Sequence, residues 1–485
     1  MKRIIKNLGY QTLYQILAIC LPLITSPYIS RVLGAEGLGA YSYTYSVVNY
    51  FTLFAMLGTL SYGSKSIAIV KGDRESLTHV FWGIYYFQAI VSVISIFAYI
   101  LFLRVVVEKN IFIAAVQITW IIGCLLDISW FFFGLEEFKI TVVRNIVIKI
   151  LTILAIFLFI KQPQDVWKYA LIMSFGTLLS QIALWPFLPR YITVYRPSVK
   201  EVCMHIKPNI MLFVPLLGLS VYHIMDKTML GIVCNNAESG YYYNADKVMS
   251  MPLTVIMATG TVMLPKMSEL VAKGSDDEEN YLFHTSLNVF MILTIGMAFG
   301  ISAIAQDFIP FFFGPGYERC INLVYIFSLI MIFKALANII RNQFLIPHNY
   351  ERVYIISVFA GAILNLVANY ILIVVMNLGA VGACLGTLVA EVTTCILYIV
   401  AIKDKIEIIS ILQGMFVYIL FGLLMALCVF GFASNMPTSI WSLMLEVFLG
   451  TIIYFTLCIY YIRKHKENNL YLLVIGLKDL MGKGE

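Results

Sequence analysis

The sequence predicts an all-α, polytopic membrane protein of about fourteen transmembrane helices, built as two pseudo-symmetric six-helix lobes plus two extra C-terminal helices. Three observations carry that prediction. Of 485 residues, 61% are apolar and 12% charged, and mean hydropathy is +0.88, whereas soluble domains carry about a quarter charged residues. Apolar runs of about twenty residues, the length that crosses a bilayer as a helix, recur along the whole chain. One phrase of sequence occurs twice, each time with a cation near the end of an apolar run that contains a proline.

The runs lie near 10–32, 40–62, 79–103, 111–134, 141–160, 167–189, 208–231, 247–268, 285–305, 320–340, 353–376, 380–401, 411–433 and 440–462. The first follows Met1-Lys-Arg-Ile-Ile-Lys6, a basic start like that of a signal peptide. The run is too long for one and no small-residue cleavage site follows, so it reads as a retained helix. Alternating the loops from a cytoplasmic N-terminus puts the basic residues on that side by roughly three to one, which places both termini in the cytoplasm. The net charge of +6 is thus explained by topology, and nucleic acid is not an expected partner. Connections are short, and the most polar, Lys266 to His284 with Asp276-Asp-Glu-Glu279, leaves no room for a soluble catalytic domain. The stretch from Asn468 to Met481 reads as an amphipathic helix on the cytoplasmic surface.

The repeated phrase is Arg31-Val-Leu-Gly34-Ala-Glu36-Gly37-Leu-Gly39-Ala-Tyr41 and Lys227-Thr-Met-Leu-Gly231, the latter followed after an insertion by Glu238-Ser-Gly240-Tyr-Tyr-Tyr243. A second echo links the fourth run, which ends in Trp130-Phe-Phe-Phe-Gly134-Leu-Glu136-Glu-Phe138-Lys139, to the tenth, which ends in Asn342-Gln343-Phe-Leu-Ile-Pro347-His-Asn-Tyr-Glu351-Arg352. Runs one to six therefore stand opposite runs seven to twelve. The expected divisions are an N-terminal lobe at 1–200, a C-terminal lobe at 201–405, extra helices at 406–464 and a cytoplasmic tail at 465–485. Pro22, Pro27 and Pro215 are candidate hinges, because each removes a backbone donor within a helix. Gly379, Gly382 and Gly386 allow helices to approach closely. Nine cysteines are scattered without a C-x-x-C pair or a Cys/His cluster, so they read as packing residues, with a Cys234–Cys320 disulfide as the alternative. No metal and no cofactor is expected.

The Arg-x-Leu-Gly start, the Trp-x-x-x-Gly-x-Glu-x-Phe-Lys turn, Gln343-x-Leu-Ile-Pro347, and Asn365-x-x-x-Asn369 before Gly379-x-x-Gly382-Ala together resemble the polysaccharide biosynthesis flippases. Those belong to the superfamily that also holds multidrug and toxin extruders and the lipid II flippases. The resemblance implies a non-enzymatic, alternating-access transporter of the bacterial cytoplasmic membrane. It also implies a cargo, an oligosaccharide on undecaprenyl pyrophosphate moved from the cytoplasmic to the outer leaflet, and a polysaccharide polymerase and glycosyltransferases as partners besides membrane lipids. A lipid II flippase or a cation-coupled multidrug extruder of the same fold is the alternative.

A pyrophosphate is excluded from hydrocarbon unless fixed cations offset its charge. Arg31, Lys227 and Lys149 are the expected anion contacts. On the seventh run Ser220, His223 and Lys227 share a face, with Asp226 adjacent. On the fifth, Thr141, Asn145, Lys149 and Thr152 do, with Arg144 at its end. Arg31 and Lys227 lie near helix ends, where snorkelling to headgroups accounts for a cation equally well. Asp127 and Glu391 sit deep inside the fourth and twelfth runs, and each serves either proton coupling or a structural hydrogen bond, Glu391 having Thr387 and Thr394 as local partners. Asp127 continues a face of Gln117, Trp120, Cys124 and Phe131. The Tyr41, Tyr43, Tyr45 and Tyr241 to Tyr243 clusters suit contact with sugars.

Overall fold

The computed structural model describes residues 2–105, 109–405, 408–434, 436–437, 439–464 and 470, with side chains omitted at 2–20, 215–216, 219, 221–223, 259, 261–262 and 408–412. Every described element is helical. The helices are α1 (Lys2–Met56), α2 (Thr59–Val70), α3 (Arg74–Val105), α4 (Ile111–Val116), α5 (Ile118–Leu126), α6 (Ser129–Gly134), α7 (Phe138–Phe159), α8 (Val166–Ile182), α9 (Val199–Cys203) and α10 (Ile206–Val233). They continue with α11 (Asn236–Lys273), α12 (Asp276–Phe313), α13 (Arg319–Ile340), α14 (Glu351–Asn369), α15 (Gly379–Ile402), α16 (Ile408–Ala433) and α17 (Ile440–Lys464).

Among the described residues, 12 segments are long and apolar enough to cross a membrane. One of them, Leu21–Val70, holds the end of the first predicted run and the whole of the second, which Gly34 separates by leaving helical geometry at φ 68°, ψ 174°. The seventh run is α10, helical throughout its 28 residues. All fourteen predicted runs therefore fall on helices. Large apolar side chains stay exposed along them, as at Ile94, Phe97, Leu101 and Phe448, which in a chain this apolar is the signature of a surface solvated by lipid.

The chain divides into two compact units, residues 1–240 and 241–485. This division falls later than the 200/201 boundary that the sequence echo suggests, because α10 packs along α1 and joins the first unit. Contacts at Gly58 with Asn209, and a hydrogen bond from Thr228 Oγ1 to Ser46 Oγ at 2.9 Å, hold it there. The repeat describes sequence ancestry and the units describe packing, so the two boundaries need not coincide.

In the first unit α1 is central and touches α3, α5, α7, α8 and α10. A fully buried aromatic block, Phe81, Trp130, Phe131 and Phe132, fills the space between α3 and α6. Trp130 lies so close to Gly63 that a Cβ there would approach its ring to 2.6 Å. In the second unit α12 packs on α13, α16 and α17, and α15 packs on α13 and α14. The predicted glycine contact is present: a Cβ at Gly386 would collide with the Asn369 side chain, and one at Gly382 would lie 3.0 Å from the Leu372 backbone. Neither Cys234 nor Cys320 is in a disulfide, so the alternative of a bridge between them is set aside. The predicted amphipathic tail lies outside the described residues.

Candidate functional site

The first copy of the repeated phrase breaks a helix. Gly34 takes a left-handed φ that a side chain would strain, and Arg31 stands one turn before it, exposed. Five residues later the chain meets the second copy. A Cβ on Gly39 would collide with the Asn236 carbonyl, and one on Gly240 with the Ala35 carbonyl. The two copies thus pack backbone against backbone within the first unit, which only glycine permits. Gly231 of the second copy fits under the Tyr43 ring in the same way.

On α10, Asp226 is 1% exposed. It interacts electrostatically with Tyr50, and Lys227 does so with Tyr45. Both charges are therefore felt by tyrosines of α1. Tyr45 stacks on Tyr41 with centroids 5.7 Å apart and meets Trp120 at 5.2 Å. Beside them Gln117 is fully buried with neither amide atom hydrogen-bonded, and the Trp120 indole N–H is likewise without a partner. An aromatic platform with an unsatisfied amide is suited to a ligand that brings hydroxyl groups. His223 and Pro215 lie outside the described side chains.

The fourth predicted run is discontinuous, consisting of α4, α5 and α6, and Asp127 sits in the second break. In lipid the freed backbone groups must find partners inside the protein. Gln88 Nε2 donates to the carbonyls of Cys124 at 2.6 Å and Asp127 at 2.8 Å, and Trp130 Nε1 donates to Gln88 Oε1 at 2.9 Å. The Asp127 carboxylate accepts from Ser129 N–H at 2.7 Å. It thereby caps the break. Arg144 interacts electrostatically with Asp127 and donates to the Ser180 carbonyl at 2.7 Å, Gln181 Oε1 at 3.2 Å and Asn145 Oδ1 at 2.8 Å. It ties α7 to α8. Lys149 lies farther along α7, half-buried.

Pro22 and Pro27 are within α1, but the break that α1 shows is at Gly34 rather than at either proline. In the second unit the buried Glu391 carboxylate meets Lys334 Nζ at 3.7 Å. Of the two threonines near it in sequence, Thr387 donates to the Ala383 carbonyl at 3.1 Å and Thr394 to the Ser357 carbonyl at 3.5 Å. Among the described residues no group of His, Cys, Asp and Glu is arranged to hold a metal ion.

Residues 4–271, more than half of the chain, match the family described as "Polysaccharide biosynthesis protein". The chain belongs to that family. Among its relatives are two candidate O-antigen transporters. That of Escherichia coli strain K12 is 22% identical over 413 residues, covering 82% of this chain and 97% of the relative. That of Shigella dysenteriae is 21% identical over 390 residues, covering 79% and 96%. Among solved structures, the lipid II flippase MurJ in an inward closed conformation aligns with TM-score 0.76 at 13% identity over 95% of this chain and 99% of that one. An inward-facing multidrug resistance MATE transporter aligns with TM-score 0.64 at 14% identity over 82% and 95%. The fold is that of a membrane transporter, not of an enzyme.

For this member of the polysaccharide biosynthesis family, three features escaped sequence reasoning. The Lys334–Glu391 pair joins helices 57 positions apart (residues 334 and 391), and no local pattern announces such a pairing. The helix break at Asp127 lacks a proline or glycine; the signal that could have marked it was the crowd of polar side chains around an otherwise apolar run. The free amide of Gln117 depended on knowing that Tyr45 and Trp120 occupy its neighbourhood.

Proposed function

We propose that this protein flips an undecaprenyl-pyrophosphate-linked oligosaccharide from the cytoplasmic to the outer leaflet of the bacterial inner membrane by alternating access, with both termini cytoplasmic. The observation that carries this reading is membership of the polysaccharide biosynthesis family, supported by a transporter fold. In this account Arg31 and Lys227 offset the charge of the pyrophosphate, with Lys149 as a further cation. The aromatic platform of Tyr45 and Trp120 stacks on a sugar, and the Gln117 amide with the Trp120 indole N–H supplies hydrogen-bonding groups for its hydroxyls. Asp226 holds the Lys227 environment in place, and Arg144 acts on the cargo only through the α7–α8 contact that it organises.

Asp127 and Glu391 each have a partner within the protein, which favours electrical drive over proton exchange. An anionic cargo leaving an inside-negative cell gains about 2.3 kcal/mol per charge per 100 mV. The polymerase and glycosyltransferases of the same polymer are the natural neighbours of such a step. The alignment with a lipid II flippase over nearly the whole chain supports a second reading, in which the same pyrophosphate carrier bears a peptidoglycan precursor.

A deletion strain separates these. Under the first reading it accumulates lipid-linked oligosaccharide and loses surface polysaccharide while cell-wall synthesis continues, and wild-type protein restores the polymer. Loss of cell-wall synthesis with intact surface polysaccharide would favour the second. Full restoration of the polymer by Arg31→Ala and Lys227→Ala proteins at wild-type abundance would remove the cation–headgroup account.

A further inference from the structure

The helices without counterpart in the sequence echo, α16 and α17, enclose a cavity with α12. It measures about 280 Å³ and its wall is mostly apolar, formed by Met297, Ile301, Met425 and Val429 among others, with one carboxylate, Glu446. Val447 and Phe455 also line it and are 52% and 39% exposed, so the cavity reaches the outer, lipid-facing surface of the unit.

Glu446 is 1% exposed and its Oε2 has no hydrogen-bond partner. A second carboxylate, Asp307 on α12, interacts electrostatically with it. The other polar groups of the cavity are engaged elsewhere. Thr451 donates to the Val447 carbonyl at 2.7 Å and Tyr454 to the Ile292 carbonyl at 2.9 Å. A buried carboxylate without a partner is costly in hydrocarbon. What relieves it is a cation that brings N–H donors, and what fills the rest of the space is an alkyl chain. Both belong to one molecule available in a bilayer.

We propose that this cavity is a binding site for an aminophospholipid, whose primary ammonium donates to the Glu446 carboxylate while an acyl chain lies against Met297, Ile301, Met425 and Val429. Charge complementarity selects the occupant. A quaternary ammonium has no N–H to give, and an anionic glycerol headgroup is repelled by Glu446 and Asp307 alike. The site is independent of the cargo that the protein carries.

The test uses full-length protein in vesicles containing trace photoreactive phosphatidylethanolamine, or phosphatidylcholine or phosphatidylglycerol with the same photoreactive acyl chain, and maps the cross-linked peptides. The expected result is labelling of residues 296–304 and 446–455 by phosphatidylethanolamine about tenfold above the other two, the ratio of one charge-assisted hydrogen bond. Glu446→Gln should bring all three lipids to one level. Gly300→Leu provides a variant that keeps the carboxylate, since a Cβ at Gly300 meets only Met425 Cε, at 3.9 Å; its side chain fills the cavity and should abolish the preference. Equal labelling by the three headgroups, which a neutral chain filling the groove would give, overturns the proposal. So does a preference that survives both substitutions.

Discussion

At the residue scale, buried charge decides most of the outcomes. The Lys334–Glu391 pair has side chains only 14% and 7% exposed, so removing one partner leaves the other charged in a nonpolar interior. Glu391→Gln should cost about 3 kcal/mol, and Lys334→Met combined with Glu391→Leu should recover most of that loss. Melting of the purified protein in detergent reads both, and a double variant no more stable than the single one would show that the pair is not a unit. The intramembrane positions of Asp127 and Glu391 were legible in the sequence because a carboxylate stands out in an apolar run. Their partners were not. Gln88, which donates to the Asp127 carbonyl, and Lys334, which meets the Glu391 carboxylate, reach them through tertiary packing, which has no periodic signature; only Ser129, two residues from Asp127, is local. Arg144 shows the same limit: its charge could be seen, but not that it donates to Ser180, Gln181 and Asn145.

At the element scale, the repeated phrase supplied the correct location but an incomplete reason. Sequence drew attention to its cations, whereas the structure shows that its glycines let the two copies interlock. Gly39→Ala inserts a methyl where the Asn236 carbonyl lies, so it should destabilise the protein by about 2 kcal/mol. Ala→Gly at Ala35, which faces Gly240, should leave the contact intact; the two melting temperatures make the comparison. Of Pro22, Pro27 and Gly34, it is Gly34 that leaves helical geometry, with a positive φ.

The short α9 that leads into α10 is held by a different kind of contact. Glu201 accepts from Ser198 N–H at 2.6 Å as a capping box and pairs with His79 at 3.0 Å. The His79 hydrogen bond first, then those of Ser198, pull its carboxyl from the ordinary 4.5 down to about 2. Burial lowers the imidazole of His205, just before α10, below its ordinary 6.5. A depressed folded value means stability that is present above the unfolded value and lost as pH falls. Hydrogen-exchange protection factors in residues 198–205, taken against the intrinsic rate at each pH, should therefore be high at pH 7, fall as His205 takes up a proton below about 6.5, and fall again as Glu201 does between about 4.5 and 2. Protection factors that rise on acidification would contradict these assignments.

At the scale of the whole molecule, composition and run length were enough for the architecture, since a helix must satisfy its backbone internally to cross a bilayer. All fourteen runs became helices for that reason. What composition could not supply was the grouping of helices, which depends on contacts such as those of α10 with α1. Sugar identity has no such physical constraint on the chain and left no trace in it.

The central claim is tested most directly in proteoliposomes that carry a radiolabelled undecaprenyl-pyrophosphate-linked oligosaccharide, with the fraction in the outer leaflet followed by a hydrolase that cannot cross the membrane. The account predicts that wild-type protein equilibrates the label between leaflets, while the Arg31→Ala/Lys227→Ala protein, equally stable and equally reconstituted, moves it no faster than empty vesicles. Label that stays on its original side with wild-type protein, or a double variant that moves it at the wild-type rate, would contradict the account.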